Sequence, residues 1–244
     1  DVDRGWLIAH ADDPVCHVKA REFMKKVKAR ILGEPLSYLL GYRDFWTLRL
    51  IVNPHVLIPR RETEHLVEWA IECIDHSAQR VLDLGTGSGA VALACKSARP
   101  EIAICGTDIS EDALRCARLN AKQLALDVEW RCGRWFDSVS GEHWDLVVSN
   151  PPYIAEADAH LSGGDLPAEP RTALVGGATG LEALQEIICL TPNALSPSGW
   201  LLLEHGYDQA AAVASMLKDA GFSDVSTRSD WSGQPRITGG QWAI

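Results

Sequence analysis

The sequence predicts an α/β protein. Its core is a doubly wound, mostly parallel sheet with an antiparallel edge, preceded by a small helical N-terminal region and a hairpin linker. Three observations predict this. From Arg80 onward, short apolar strand patterns alternate with helical ones. The first of those strands runs into a glycine-rich turn, Gly85-Thr86-Gly87-Ser88-Gly89. The chain ends on two strand patterns close in sequence, Val225–Arg228 and Arg236–Trp242, a spacing that suits antiparallel neighbours.

In chain order, Val15 to Ile31 reads as a helix with Lys19, Arg21, Lys25, Lys26, Lys28 and Arg30 crowded along it. Such a run is ordinarily a solvated face. Gly33-Glu34-Pro35 breaks the helix. Between Phe45 and Ile58 the period becomes two: Trp46, Leu48, Leu50 and Val52 alternate with Thr47, Arg49 and Ile51. Asn53-Pro54 is read as the turn and Val56 to Ile58 as the returning strand of a hairpin. Leu66, Val67, Ala70, Ile71 and Ile74 then recur at helical spacing. Arg80–Leu84 is a short strand, and a helix follows its glycine turn through Cys95. Ile102–Thr107 is the next strand, closed by Asp108. Ser110 is placed to cap a helix whose first turn holds Glu111 and Asp112, where carboxylates suit the helix dipole. Leu114, Ala117, Ala121 and Leu124 form its inner face. Strands at Val128–Cys132, Trp144–Ser149 and Trp200–Leu203, with helices at Leu181–Cys189 and Gln209–Ala220, complete the alternation. The division expected is a helical region at 1–41, a hairpin linker at 42–58 and the main domain at 59–244. The chain starts at Asp1 rather than Met, so the N-terminal region is read as truncated.

Composition excludes several classes of function. Apolar residues make up 46% of the chain, enough for a substantial core. No apolar run reaches the roughly 20 residues a bilayer span requires. Charges throughout the first thirty residues argue against a secretory signal. A net charge of -10 disfavours a protein that grips long nucleic acid by its phosphates. Seven scattered cysteines with no C-x-x-C pair suggest neither a disulfide framework nor a zinc site, and a reducing cytoplasm fits them best. No metal is expected.

In open α/β sheets, ligands bind beyond the carboxyl ends of the strands. The glycines of Asp83-Leu84-Gly85-Thr86-Gly87-Ser88-Gly89 let the backbone turn tightly there and let a ligand come close. Asp108, at the end of the next strand, can accept both hydroxyls of a ribose. Gly85 to Ala90 formally satisfies the dinucleotide fingerprint G-x-G-x-x-G/A. Two features point elsewhere: Asp83 stands two positions before the first glycine, and the loop carries a third at Gly89. This D-L-G-x-G-x-G form is the one S-adenosylmethionine enzymes use. That cofactor has no pyrophosphate to seat, and its positive sulfonium tolerates nearby acids.

Asn150-Pro151-Pro152-Tyr153 follows directly on the strand Trp144–Ser149, at the same sheet edge. Two prolines remove two backbone donors and stiffen the turn. Their carbonyls and the Asn150 side-chain oxygen leave a rigid row of acceptors, which suits a planar NH2 group. An amide nitrogen is a poor nucleophile, and holding both its N–H groups, from Asn150 and the Pro151 carbonyl, would fix it facing a methyl sulfonium. Positioning of this kind can supply up to roughly 7–11 kcal/mol. Tyr153 would wall the pocket and stack on the amide.

At this point the chain resembles the PrmC/HemK family, the peptide-chain-release-factor glutamine methyltransferases. The resemblance rests on Gly33-Glu34-Pro35, Phe45-Trp46, Leu57-Ile58-Pro59-Arg60 with Glu62-Thr63-Glu64, Asp83 to Gly89, Trp135-Phe136, Val148 to Ile154, Glu169-Pro170 with Ala173-Leu174, and Leu202-Leu203-Glu204-His205-Gly206. It implies a class I, Rossmann-like methyltransferase domain behind a substrate-docking helical region. It also implies methyl transfer from S-adenosylmethionine to the glutamine of a Gly-Gly-Gln loop in class-1 release factors. By position, Gly85, Thr86, Gly87, Ser88, Gly89, Asp108, Trp135 and Asn150 match the family's cofactor contacts. Asn150, Pro151, Pro152 and Tyr153 match its amide site, with Asn150 and Pro151 in the catalytic role, and Phe45 and the Arg60–Glu64 segment match residues near the site mouth. Arg134 stands where the family usually has an acidic residue, and Arg61 replaces a frequent proline.

Other readings stay open beside this one. A ribosomal-protein glutamine methyltransferase would use the same chemistry. An adenine amino-group methyltransferase would offer a similar NH2, but it calls for base flipping and a basic groove that the charge balance does not suggest. His143, His160 and His205 have no partner spacing for a metal and are read as surface or core residues. Glu156 to Gly180 is long enough to fold over a protein substrate. Gly239-Gly240-Gln241 repeats the substrate tripeptide and is read as coincidence.

Overall fold

The computed structural model describes residues 2–243. The N-terminal region holds α1 (Arg4–Ala9), α2 (His17–Ile31) and α3 (Leu36–Leu40). A hairpin of β1 (Tyr42–Phe45) and β2 (Leu48–Ile51) leads to α4 (Glu64–His76), β3 (Arg80–Leu84) and α5 (Ala90–Ala98). Next come β4 (Ala103–Asp108), α6 (Glu111–Leu124), β5 (Glu129–Cys132), β6 (Trp144–Ser149) and the short strands β7 (Ile154–Ala155) and β8 (Val175–Gly177). The chain closes with α7 (Glu182–Leu190), β9 (Leu195–Glu204), α8 (Ala210–Asp219), β10 (Phe222–Ser229) and β11 (Pro235–Trp242).

Seven strands form one sheet in the order β10-β11-β9-β6-β3-β4-β5. β11 runs antiparallel to both β9 and β10, and the other pairs are parallel. Successive side chains of a strand face opposite sides of a sheet, so two cores form from alternate residues. Val81, Leu146, Val148 and Leu202 pack with α4 and α5 on one face. Leu82, Leu84, Val147, Leu201 and Leu203 pack with α7 and α8 on the other. Burial on both faces is why the central strands read as unbroken apolar runs rather than alternating ones.

From β3 the chain steps outward through β4 and β5, then returns to β6 on the opposite side of β3. That reversal opens the crevice between β3 and β6, at their carboxyl ends. Leu84 is paired with Ser149, so the next residues, Gly85 and Asn150, lie side by side. The Ser149 hydroxyl ties the two strand ends together by donating to the Leu84 carbonyl at 2.7 Å.

Two local expectations need correction. The hairpin turns at Trp46-Thr47, with Trp46 at a φ of 55°, rather than at Asn53-Pro54. Gly41, left-handed at the end of α3, lets Tyr42 begin a strand at once, and Tyr42 to Phe45 supplies the partner. Asn53-Pro54 does turn the chain, with Val56 N–H donating to the Asn53 carbonyl, but among the described residues 56–58 pairs with no strand. Helix α3 was not expected after the Gly33-Glu34-Pro35 break. Pro35 instead occupies its N-cap position. Helices α1 and α2 bury no residue, and α2 is tied to the body by the Arg30 guanidinium donating to Asp165 at 2.6 Å. Among the described residues no helix is long and apolar enough to cross a membrane.

Candidate active site

The glycine loop is held from behind by Asp83. This carboxylate is buried at 2% exposure, and its Oδ2 accepts from the Thr86 hydroxyl at 2.6 Å and the Ala92 N–H at 3.2 Å. Burial pushes its pKa up to about 7. Gly85, Gly87 and Gly89 all have positive φ, which an L side chain would resist. Asp108 closes the loop from the neighbouring strand: Oδ2 accepts the Gly87 N–H at 2.9 Å and Oδ1 accepts the Ser110 N–H at 2.9 Å. Each oxygen keeps a further lone pair for a ligand hydroxyl. Burial raises this carboxyl above its ordinary range, opposed by those two backbone donors.

A cavity of about 420 Å³ opens over the loop and is lined by Gly85, Gly87, Asp108, Trp135, Asn150 and Pro152. The same wall includes His55, Arg134 and Glu182, to which the sequence reading gave no cofactor role. Arg134 is paired with Glu186, so its charge is offset where it meets the cavity. The remaining carboxylates, Asp108 and Glu182, favour a positive ligand over a phosphate. The Gly87 N–H that a pyrophosphate would seek is already given to Asp108. The residues present therefore fit a ribose-bearing sulfonium and not a dinucleotide. Trp135 adopts a φ of 45°, and its carbonyl accepts the Thr107 hydroxyl at 3.1 Å, which turns the residue toward the loop.

Next to it lies a cavity of about 60 Å³, lined by Leu57, Arg60, Asn150, Pro151, Tyr153, Ile154, Leu166, Ala173 and Leu174. Asn150 lines both cavities. Its Nδ2 donates to the Thr63 hydroxyl at 3.1 Å, and among the described residues its Oδ1 accepts no hydrogen bond. The segment 156–180 is packed onto the tetrapeptide. A Cβ on Gly176 would stand 2.3 Å from the Pro152 carbonyl oxygen, and one on Gly180 the same distance from that of Tyr153. Glu169, from that segment, accepts from the Ile58 N–H at 3.0 Å and pairs with Arg60, clamping it to the stretch before α4.

Not every expected site residue reaches a cavity. The Thr86 hydroxyl points back to Asp83, Ser88 is buried, and Gly89 sits beside Trp130 at the start of α5. Phe45 is buried at 1% exposure among the core residues beneath the hairpin and lines neither cavity. By resemblance Thr63 belongs to the Arg60–Glu64 segment near the site mouth, but sequence reasoning gave neither it nor Glu204 a role of its own, although both stood in the quoted motifs. His205 is a core residue, bonded to Thr238 at 2.7 Å and to the Gly206 carbonyl, and burial lowers its pKa. Gly239-Gly240-Gln241 lies within β11 between β9 and β10, and the Gln241 amide donates to the Ser198 carbonyl.

Residues 64–164 match the family model of a methyltransferase small domain, and residues 1–41 match that of a PrmC N-terminal domain. The chain is 47% identical to the release factor glutamine methyltransferase of Xylella fastidiosa, over 99% of this chain and 88% of that protein. It is 48% identical to a protein of the same name from Pseudomonas aeruginosa, over 86% of this chain and 77% of the relative. A solved methyltransferase from Pyrococcus furiosus shares the fold at a TM-score of 0.61 and 17% identity, covering 89% of this chain and 98% of its own.

Proposed function

The chain belongs to the release factor glutamine methyltransferase family, and from that premise we propose that Asn150 and the Pro151 carbonyl hold the glutamine amide of a Gly-Gly-Gln loop in a class-1 release factor. The enzyme is an S-adenosylmethionine-dependent protein-glutamine methyltransferase. When bound, the cofactor supplies an electrophilic methyl group on a positively charged sulfur. Everything else falls to this chain. Asp108 accepts ribose hydroxyls, Trp135 offers a flat wall to the adenine, and Gly85 and Gly87 keep the floor free of side chains.

The observation that carries the reading is the place of Asn150, shared by the large cavity and the small one. A carboxamide entering the small cavity from the protein surface meets Asn150 Oδ1 and the proline carbonyls, all acceptors. Both its N–H groups are then held, and the nitrogen faces the large cavity. Its lone pair needs no charged base at the outset, because methylation makes the nitrogen acidic. The contribution is orientation, for which up to roughly 7–11 kcal/mol is available. Action on translation factors supports a cytoplasmic location, and the net charge of -10 supports a protein substrate over long nucleic acid.

The test is transfer of label from cofactor to purified release factor, with wild-type factor and a Gln→Glu variant of its Gly-Gly-Gln loop. Label on the first alone supports the reading. Label on neither, with cofactor binding intact, overturns it and turns attention to ribosomal proteins and then to adenine-containing substrates.

A further inference from the structure

Bonded to Tyr153, which lines the small cavity, is a buried carboxylate that the mechanism above does not use. Glu204 ends β9 at 1% exposure, and among the described residues its Oε2 has no hydrogen-bond partner. Its Oε1 receives the Tyr153 hydroxyl at 3.3 Å, and the nearby Thr63 hydroxyl favours its charged form. Among the described residues no arginine or lysine makes an ion pair with it. Arg236, whose charge acts on it through space, gives its guanidinium to Asp230 at 3.0 Å. A carboxylate buried without an ion pair is costly, and packing alone would be served better by an apolar side chain.

Thr63 is equally out of character. It occupies the N-cap position of α4, where a threonine hydroxyl ordinarily accepts a backbone N–H of its own helix. Here it makes no such bond. Its hydroxyl accepts instead from the Asn150 amide at 3.1 Å, which leaves its own proton free for the nearby Glu204 carboxylate.

We propose that Glu204 and Thr63 are positioning residues that set the orientation of the Asn150 carboxamide, and so its choice between accepting and donating toward the substrate amide. This rests on the glutamine-amide reading above. A hydroxyl has one proton. With Glu204 ionised, Thr63 gives that proton to the carboxylate and has only lone pairs left for Asn150. Asn150 must then turn its NH2 to Thr63 and its Oδ1 to the cavity, where it accepts a substrate N–H. With Glu204 protonated or replaced by an amide, Thr63 no longer has an obligatory acceptor. Its proton can go to Asn150 Oδ1, the carboxamide flips, and an NH2 faces the NH2 of the substrate. Two donors meeting there lose the hydrogen bond that aims the nitrogen. The same carboxylate holds Tyr153, so both side chains flanking the amide are keyed to one buried charge.

The pH dependence follows. Burial raises Glu204 from 4.5 to about 7. The groups facing it are Glu62 and Thr63 from the segment before α4, Tyr153 from the turn after β6, and Arg236 from β11. Tyr153 is raised and stays neutral, while Arg236 is raised and stays charged. Transfer therefore rises with pH as Glu204 ionises, and then levels.

The experiment measures kcat and KM for release factor from pH 6 to 9, cofactor affinity and melting temperature, in wild type, Glu204→Gln, Thr63→Val and Thr63→Ser. In Glu204→Gln and Thr63→Val, kcat is expected to fall about tenfold or more while KM and cofactor affinity stay near wild type. Thr63→Ser keeps the hydroxyl and most of the rate. Glu204→Gln also loses the rise near pH 7, and at pH 8 it melts no lower than wild type because a buried charge is gone. Loss of rate without loss of stability separates orientation from mere packing. Wild-type kcat and an unchanged pH profile in Glu204→Gln, or full rate in Thr63→Val, would overturn the relay while leaving the substrate assignment standing. Absence of transfer by the wild type itself removes the substrate assignment, and the relay with it.

Discussion

Asp108 does two jobs with one carboxylate, tethering Gly87 and Ser110 through their N–H groups while presenting its remaining lone pairs to the large cavity. Removing it deletes both the loop tether and the ribose acceptors. Hydrogen bonds to a charged group are worth about 1.5–3 kcal/mol, so Asp108→Ala should weaken cofactor binding roughly ten- to a hundredfold. Calorimetric titration with S-adenosylhomocysteine would check this, and an unchanged affinity would reduce Asp108 to a tether. At this scale the sequence was a partial guide. Asp108 and Asn150 were legible because each directly follows or ends a recognisable strand, where open sheets bind their ligands. Thr63 and Glu204 were not, since their meaning comes from a hydrogen bond spanning residues 63 and 150 and a carboxylate at 204. Linear spacing carries no trace of such contacts. Phe45 illustrates the opposite failure, an aromatic whose period-two neighbours announced a strand but not which face it would bury.

At the scale of elements, the segment between β7 and α7 is packed on the catalytic turn more tightly than its length suggests. Gly176 is the closest point, and a methyl there would press on the Pro152 carbonyl at 2.3 Å, a backbone atom that cannot simply swing away. Gly176→Ala is expected to displace the tetrapeptide. Overpacking of this kind costs about 1–3 kcal/mol in stability. Because the displaced carbonyls aim the substrate, kcat should fall by about tenfold to a hundredfold. Assay of the variant against release factor, beside its cofactor affinity, would test this, and a variant with full kcat would show that the turn is set by β6 alone. Regular elements were legible wherever one physical signal dominated. Ser110 does cap α6, accepting the Ala113 N–H, because a serine before two acids has little else to do. The hairpin was misplaced because Asn53-Pro54 is a strong local turn signal. Trp46, the true corner, takes a left-handed conformation that its residue type gives no reason to expect.

For the molecule as a whole, topology was legible in outline because alternating strands and helices admit few arrangements. The strand order and the crevice between β3 and β6 had to be seen. One consequence is global. Asp83 and Glu204 are both buried and both raised to about 7, from 3.8 and 4.5. A folded pKa above the unfolded one means that the native state binds more protons between roughly pH 4 and 7, so stability falls as pH rises through that window. At about 1.4 kcal/mol per pKa unit, the loss is on the order of 3–4 kcal/mol per group. The melting temperature of Glu204→Gln minus that of wild type should therefore grow from pH 5 to pH 8, whereas parallel curves would mean the carboxyl titrates normally. A second consequence concerns the N-terminal region, which we propose docks the protein substrate. Helices α1 and α2 bury nothing, and the Arg30–Asp165 pair that ties α2 down is half exposed. Such a pair is worth about 0–1 kcal/mol. Deleting residues 1–33 should then lower the melting temperature by only about 2–4 °C. Cofactor affinity should not change, because no described residue before His55 lines the large cavity. Transfer to a short Gly-Gly-Gln peptide should stay within about twofold, while kcat/KM for the intact release factor drops about tenfold or more, the signature of lost uniform binding remote from the chemistry. Equal effects on peptide and intact factor would remove the docking role, and a collapse in stability would show that α1 and α2 support the fold in a way their exposure denies.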